Sequence, residues 1–152
     1  MSIKNKRISW DEYFAEIAKT SSLRSTCPKQ AVGAVIVKDN QIISTGYNGA
    51  PSNLPHCIDD GCHEDEDNHC IMSAHAELNA IIRASETKGT TLYCTHTPCL
   101  ECCKAIINAG IKEVIYVDSY YDQRIEFLPY ESQTEFLNRA GIPVFKLSEI
   151  ED

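Results

Sequence analysis

Apolar and polar positions alternate along this chain with two different periods, and the change from one to the other marks out its elements. Trp10, Phe14, Ile17, Ala18 and Ser21 recur at helical spacing behind Ser9, and Glu12 completes a capping-box pattern with Ser9, so a helix is predicted from about Trp10 to about Ser25. Ala31 to Val37 and Gln41 to Tyr47 are short, β-branched runs separated by Lys38, Asp39 and Asn40, the pattern of an antiparallel hairpin. From Asn48 to Met72 no period survives, and Gly, Pro, Asn, Asp and Glu dominate. Ser73 to Ser85 returns to helix formers, with Ala76, Ala80 and Ala84 on one stripe. A strand over Thr90 to His96 follows, and Thr97 and Pro98 then offer a cap and a first-turn proline for a helix from Cys99 to Ala109 that Gly110 ends. Glu113 to Asp118, Gln133 to Ala140 and Ile142 to Phe145 complete the chain as strand, helix and strand. The βαβ rhythm after His75 implies parallel pairing, so the expectation is an α/β fold with a mixed five-stranded sheet covered by helices on both faces.

Length and composition narrow the picture without deciding it. At 152 residues and 43% hydrophobic content, residues 1–152 read as a single domain with one ordinary core. Met1 to Trp10 shows basic residues with no apolar run behind them, and no stretch approaches a bilayer span, so neither export nor membrane insertion is expected. A cytoplasmic location follows as an expectation, and there eight cysteines suit metal binding better than disulfides. A formal charge of -8 argues against a large nucleic-acid partner but leaves room for a small anionic ligand held by a few local cations.

Chemistry concentrates at two helix starts. His75, Ala76 and Glu77 open one helix, while Pro98, Cys99 and Cys102 open the next, and a βαβ layout brings both openings to one edge of the sheet. One imidazole and two thiolates would then hold a tetrahedral metal whose fourth position stays open, the mark of a catalytic zinc (Zn2+) site. Helix amino termini favour thiolate, and Glu77 is spaced to move protons beside the open position. Taken singly, the same residues could be a core histidine, a solvated glutamate and a redox pair or half of a closed zinc knuckle. Taken together, His-x-Glu followed by Pro-Cys-x-x-Cys matches the known signature of zinc nucleobase deaminases.

With Gly46 to Gly49 and Arg24 to Cys27 added, these motifs resemble those of the deoxycytidylate deaminases, in particular the bacterial form encoded among late-competence genes, from about Ile8 to Phe145. The resemblance implies a three-layer α/β/α sandwich of the cytidine-deaminase type and hydrolytic deamination of dCMP to dUMP and ammonia, with dUMP feeding thymidylate synthesis. It implies that Asn48 binds the sugar 3′-hydroxyl, that Arg24, Ser25 and Lys29 meet the phosphate, that Ala76 lies against the substrate, and that Tyr120 closes over the nucleotide. It further implies a second, structural zinc held by Cys27 and Cys57 with two ligands from Cys62, Cys70 and His69, anchoring the irregular segment at about 49–72. Related enzymes form homohexamers activated by dCTP with Mg2+ and inhibited by dTTP, for which Asn79 and Arg83 are the candidate regulatory residues. Rival readings are a transfer-RNA adenosine deaminase, which the acidic charge disfavours, and a non-catalytic zinc-stabilised module. Cys94 reads as a small buried hydrophobe, and Cys103 faces away from a metal held by Cys99 and Cys102.

Overall fold

The computed structural model describes residues 6–150; the outermost residues of the expected 1–152 domain, 1–5 and 151–152, lie outside the described residues. Among the described residues, five α-helices and five strands follow in the order α1 Trp10–Ser22, β1 Gly33–Lys38, β2 Gln41–Tyr47, α2 Cys57–Asp60, α3 Ala76–Arg83, β3 Thr91–His96, α4 Leu100–Ala109, β4 Glu113–Asp118, α5 Gln133–Arg139 and β5 Val144–Lys146. The sheet order is β2-β1-β3-β4-β5, with β1 antiparallel to both neighbours and β3, β4 and β5 mutually parallel. That is the mixed five-stranded sheet the periodicity predicts.

Two apolar layers hold the helices to it. On one face, Ala34, Ile36, Leu92 and Val114 pack against Ala76 and Ala80 of α3, Ile106 of α4 and Leu137 of α5. On the other, Val35, Tyr93 and Ile115 pack against Phe14 and Ala18 of α1. Alternation along each strand puts neighbouring residues on opposite faces, so one short run feeds both layers. Gly46 lets β2 come hard against α3: a Cβ there would fall on the Ala76 carbonyl oxygen and 2.7 Å from the Ala80 amide nitrogen. The hairpin turn is carried by Asp39 (φ 51°) and Asn40 (φ 59°), the left-handed pair that matches strand twist.

Several boundaries differ from those read in the sequence, each for a local reason. Ser9 caps α1 as expected, its hydroxyl accepting from the Glu12 amide at 3.1 Å, but the helix ends at Ser22 because the chain tightens into successive three-residue turns, including Arg24 N to Ser21 O at 3.0 Å. The helix bearing Glu77 begins at Ala76, not Ser73, because Ala74 exchanges two backbone bonds with Gly49 (2.7 and 3.1 Å) and holds the preceding residues extended. At α4 the cap is Cys99, not Thr97, whose hydroxyl accepts from the Tyr120 amide at 3.1 Å and is therefore engaged elsewhere. The irregular segment contains the short helix α2, which no periodicity announces. A 3₁₀ turn over Gln123–Phe127, capped by Asp122, was likewise not predicted.

Candidate active site

The two helix starts do meet. His75 is the residue before α3 and Cys99 the residue before α4, both in extended conformation, and Cys102 lies in the first turn of α4. His75 Nδ1 sits 3.2 Å from Cys99 Sγ and 3.3 Å from Cys102 Sγ. Zinc bonds of about 2.0 Å to nitrogen and 2.3 Å to sulfur separate tetrahedral ligand atoms by roughly 3.5 Å, so this donor set fits zinc in both chemistry and spacing. Both cysteines are buried while His75 is exposed, giving a site whose floor is sulfur and whose mouth is imidazole.

The three groups lie in contact and set one another's protonation. The hydrogen bond from Cys102, and then that from His75, hold the Cys99 thiol down at about 4. The same bond to Cys99, together with burial, pushes Cys102 up, and the Cys99 partner raises His75. His75, Cys99 and Cys102 would hold a metal in place of the protons they share. Glu77, 4% exposed, lies beside them, and burial pushes its carboxyl up to about 7, against a hydrogen bond from its own amide. A carboxyl poised near neutral pH suits a group that must both take and give a proton.

Other predicted residues are distributed as follows. Asn48 is buried, accepts from the Val32 amide (2.9 Å) and donates to the Gln30 carbonyl (2.7 Å), leaving one donor and one lone pair for anything else. Ala76 is fully buried at the first position of α3, where its N–H has no partner within the helix. The three phosphate candidates each have a partner in the structure. Lys29 is paired with Glu64 (2.9 Å) and donates to the Asn68 carbonyl (2.6 Å), which binds it to the irregular segment. Arg24 lies over the Tyr47 ring at 5.9 Å, and the Ser25 hydroxyl accepts from the Cys27 amide at 3.2 Å. Tyr120 is half-exposed, its backbone held at both ends by Thr97 and by Gln133 Nε2 (2.7 Å).

A second sulfur cluster lies across the irregular segment. The sulfurs of Cys27, Cys62 and Cys70 all fall within 4.8 Å of one another; Cys57 Sγ is 3.7 Å from Cys70 Sγ but does not lie within that distance of all three. His69 is not drawn in; its exposed ring faces Asp65 at 3.6 Å. Asn79 donates to the Tyr47 carbonyl (2.9 Å), and Asn79 and Arg83 line a cleft of about 130 Å³ with Thr26 and His56. Sequence reasoning missed Asp122 and Arg124. Asp122 is 3% exposed, accepts from the Leu100 amide (2.8 Å) and takes a guanidinium fork from Arg124. Burial opposes ionisation there, but these bonds outweigh it and bring the carboxyl down to about 2. The only trace in the sequence is an Asp two residues before an Arg, a common turn pattern.

Comparison with known proteins agrees with the geometry. The family model for the cytidine and deoxycytidylate deaminase zinc-binding region matches residues 8–118. ComE operon protein 2 of Bacillus subtilis is 44% identical over 143 residues, covering 91% of this chain and 71% of the relative. The deoxycytidylate deaminase of Saccharomyces cerevisiae is 39% identical over 154 residues, covering 96% of this chain and 47% of the relative, so the chain spans about half the length of that enzyme. Among solved structures, the dCMP deaminase of cyanophage S-TIM5 in complex with dCMP and dUMP superposes with a TM-score of 0.75 at 33% identity, over 94% of this chain and all of that one. A zinc-fitting triad of one imidazole and two thiols, a buried carboxyl beside it and these matches together establish that the chain is a deaminase of the cytidine and deoxycytidylate deaminase family.

Proposed function

We propose that this protein hydrolyses dCMP to dUMP and ammonia in the cytoplasm, as a single domain over residues 1–152, and so supplies dUMP for thymidylate synthesis. The observation that carries the reading is the convergence of His75, Cys99 and Cys102 beside buried Glu77, and the cyanophage enzyme solved with dCMP and dUMP supports the choice of nucleotide. A zinc ion held by those three residues supplies the Lewis acidity that brings water's pKa towards neutrality. Glu77 takes a proton from the attacking water and passes it to the ring nitrogen, then carries the remaining proton to the departing amine. Water thus adds its oxygen at C4 as ammonia leaves, and one carboxyl serves both transfers.

Substrate contacts follow the same division. The remaining donor and lone pair of Asn48 meet the sugar 3′-hydroxyl, Ala76 offers its free N–H to the base, and Tyr120 covers the nucleotide. Arg24 and Ser25 meet the phosphate; Lys29 joins them only by giving up Glu64. Cys27, Cys57, Cys62 and Cys70 hold a structural zinc that anchors residues 49–72, with His69 left outside. The cleft bordered by Asn79 and Arg83 takes dCTP with Mg2+ as activator and dTTP as inhibitor, and the exposed side of α3 around Ile82 joins subunits of a homohexamer. Such control requires each effector to favour one conformational state over the other.

The test is ammonia release from a panel of dCMP, CMP, deoxycytidine, cytosine and a transfer-RNA anticodon stem, with sedimentation and with dCTP or dTTP added. Turnover of dCMP above all others, sigmoidal until dCTP and Mg2+ are present, in a particle of six chains, is expected. Turnover of the stem adenosine, or of none, overturns the reading; hyperbolic dCMP kinetics from a monomer removes only the control.

A further inference from the structure

In the metal-ligand turn of α4 the Leu100 amide finds its acceptor far along the chain. Cys99 occupies the cap position but makes no side-chain capping bond, because its sulfur faces His75 and Cys102. The amide of Leu100, between the two sulfur ligands, is instead satisfied from 22 residues away: it donates to Asp122 Oδ2 at 2.8 Å in a buried contact. That carboxylate is itself immobilised. Arg124 donates through Nε to Oδ1 (3.0 Å) and Oδ2 (3.2 Å), through a terminal guanidinium nitrogen to Oδ2 (2.7 Å), and through its backbone amide to Oδ1 (3.0 Å).

Two more bonds run alongside, from the Thr97 amide to the Asp118 carbonyl (3.0 Å) and from the Tyr120 amide to the Thr97 hydroxyl (3.1 Å). The stretch 118–122 is therefore laced, every second residue, to the stretch 97–100 that carries Cys99. Both Asp122 oxygens are occupied, so it is not a metal ligand, and the Arg124 charge offsets a negative group that would otherwise sit buried and unpaired near the Cys99 and Cys102 sulfurs.

We infer that Asp122, clamped by Arg124, is a positioning residue for the catalytic metal: it fixes the Leu100 amide, and with it the separation of the Cys99 and Cys102 sulfurs from His75. The inference rests on the reading of His75, Cys99 and Cys102 as metal ligands, not on the identity of the substrate. Partners outside the coordination shell that orient ligands typically change metal affinity 10–100-fold. Asp122→Ala removes both the acceptor and the clamp. Asp122→Asn keeps an oxygen facing Leu100 but loses the charge pairing, and Arg124→Leu keeps the carboxylate but frees it.

The experiment follows zinc release from the intact, zinc-loaded protein into a coloured chelator, identifying the catalytic-site phase as the one missing in Cys99→Ser. Release from Asp122→Ala is expected to be about 10-fold faster or more, with Asp122→Asn and Arg124→Leu in between. With dCMP, kcat should fall in the same order while KM stays near that of the unaltered protein. Parent-like release from folded Asp122→Ala overturns the inference. Where Asp122→Ala does not fold, parent-like release from both Asp122→Asn and Arg124→Leu overturns it equally. Release that behaves as expected in a protein that leaves dCMP untouched sustains the positioning role and sinks the substrate assignment instead.

Discussion

The chain carries two sulfur clusters, one on helix starts at the end of a packed sheet and one in a segment with almost no regular structure. At the first, Cys102 is fully buried, and the helices that present the ligands stand on Ile106, Ala76 and Ala80 of the main core. At the second, Cys27, Cys62 and Cys70 are each partly exposed, and residues 51–73 bury few apolar side chains apart from Cys57. The first site is therefore built by the fold and would keep its shape without metal. The second is held by contacts among its thiols, the α2 turn, the Lys29 bonds to Glu64 and Asn68 and scattered backbone bonds, so a metal on those thiols should weigh more heavily on its order than on that of the first.

The largest consequence of that contrast concerns the second site. Cys62→Ser should release one zinc per chain and withdraw on the order of 10 kcal/mol of metal-binding energy from the segment. Limited proteolysis should then cut within residues 51–73 while β1 to β5 stay protected. Equal protection in the variant and its parent would break the comparison. Next in size, Glu77→Gln should lower dCMP turnover on the order of 10²-fold or more while both zincs remain; near-normal turnover would remove the proton-transfer role.

Smaller effects sharpen the first site's dependence on packing. Gly46→Ala drives a methyl group into the backbone of α3 and should cost about 1–3 kcal/mol in a urea titration. A midpoint equal to the parent's would mean that α3 is not held where the packing puts it. The smallest effect is at acid pH. Because the Asp122 carboxyl is brought from an ordinary value near 3.8 to about 2, its contribution is whole above about pH 4 and fades as pH falls towards 2. With Arg124 half-exposed, the contribution is on the order of 1 kcal/mol, read as acid stability lost in Asp122→Asn. Identical acid profiles would show that the pair does not help to hold α4.

How much of this was legible in the sequence also divides between the two regions. The strands, the hairpin and the pairing of His75 with Cys99 and Cys102 follow from period and spacing, because a βαβ rhythm fixes where successive helices begin. Helix starts were misplaced where long-range bonds decide them: the Gly49 bond to Ala74 delays α3, and Thr97 is occupied by Tyr120 instead of capping α4. In the irregular segment neither α2 nor the pairing of Lys29 with Glu64 has a periodic signal. Asp122 was invisible for the same reason, since its partner Leu100 lies 22 residues earlier and only the fold joins them.

Dependence of dCMP hydrolysis on a metal held by His75, Cys99 and Cys102 underlies every other catalytic expectation. Its most direct test is dUMP formation from dCMP by one preparation as purified, after stripping by a chelator, and after zinc is returned. Activity that disappears with stripping, while the circular dichroism of the sheet and helices persists, and that comes back with zinc is the predicted result. Turnover of dCMP that survives removal of all zinc, or zinc-loaded protein that forms no dUMP, would rule that dependence out.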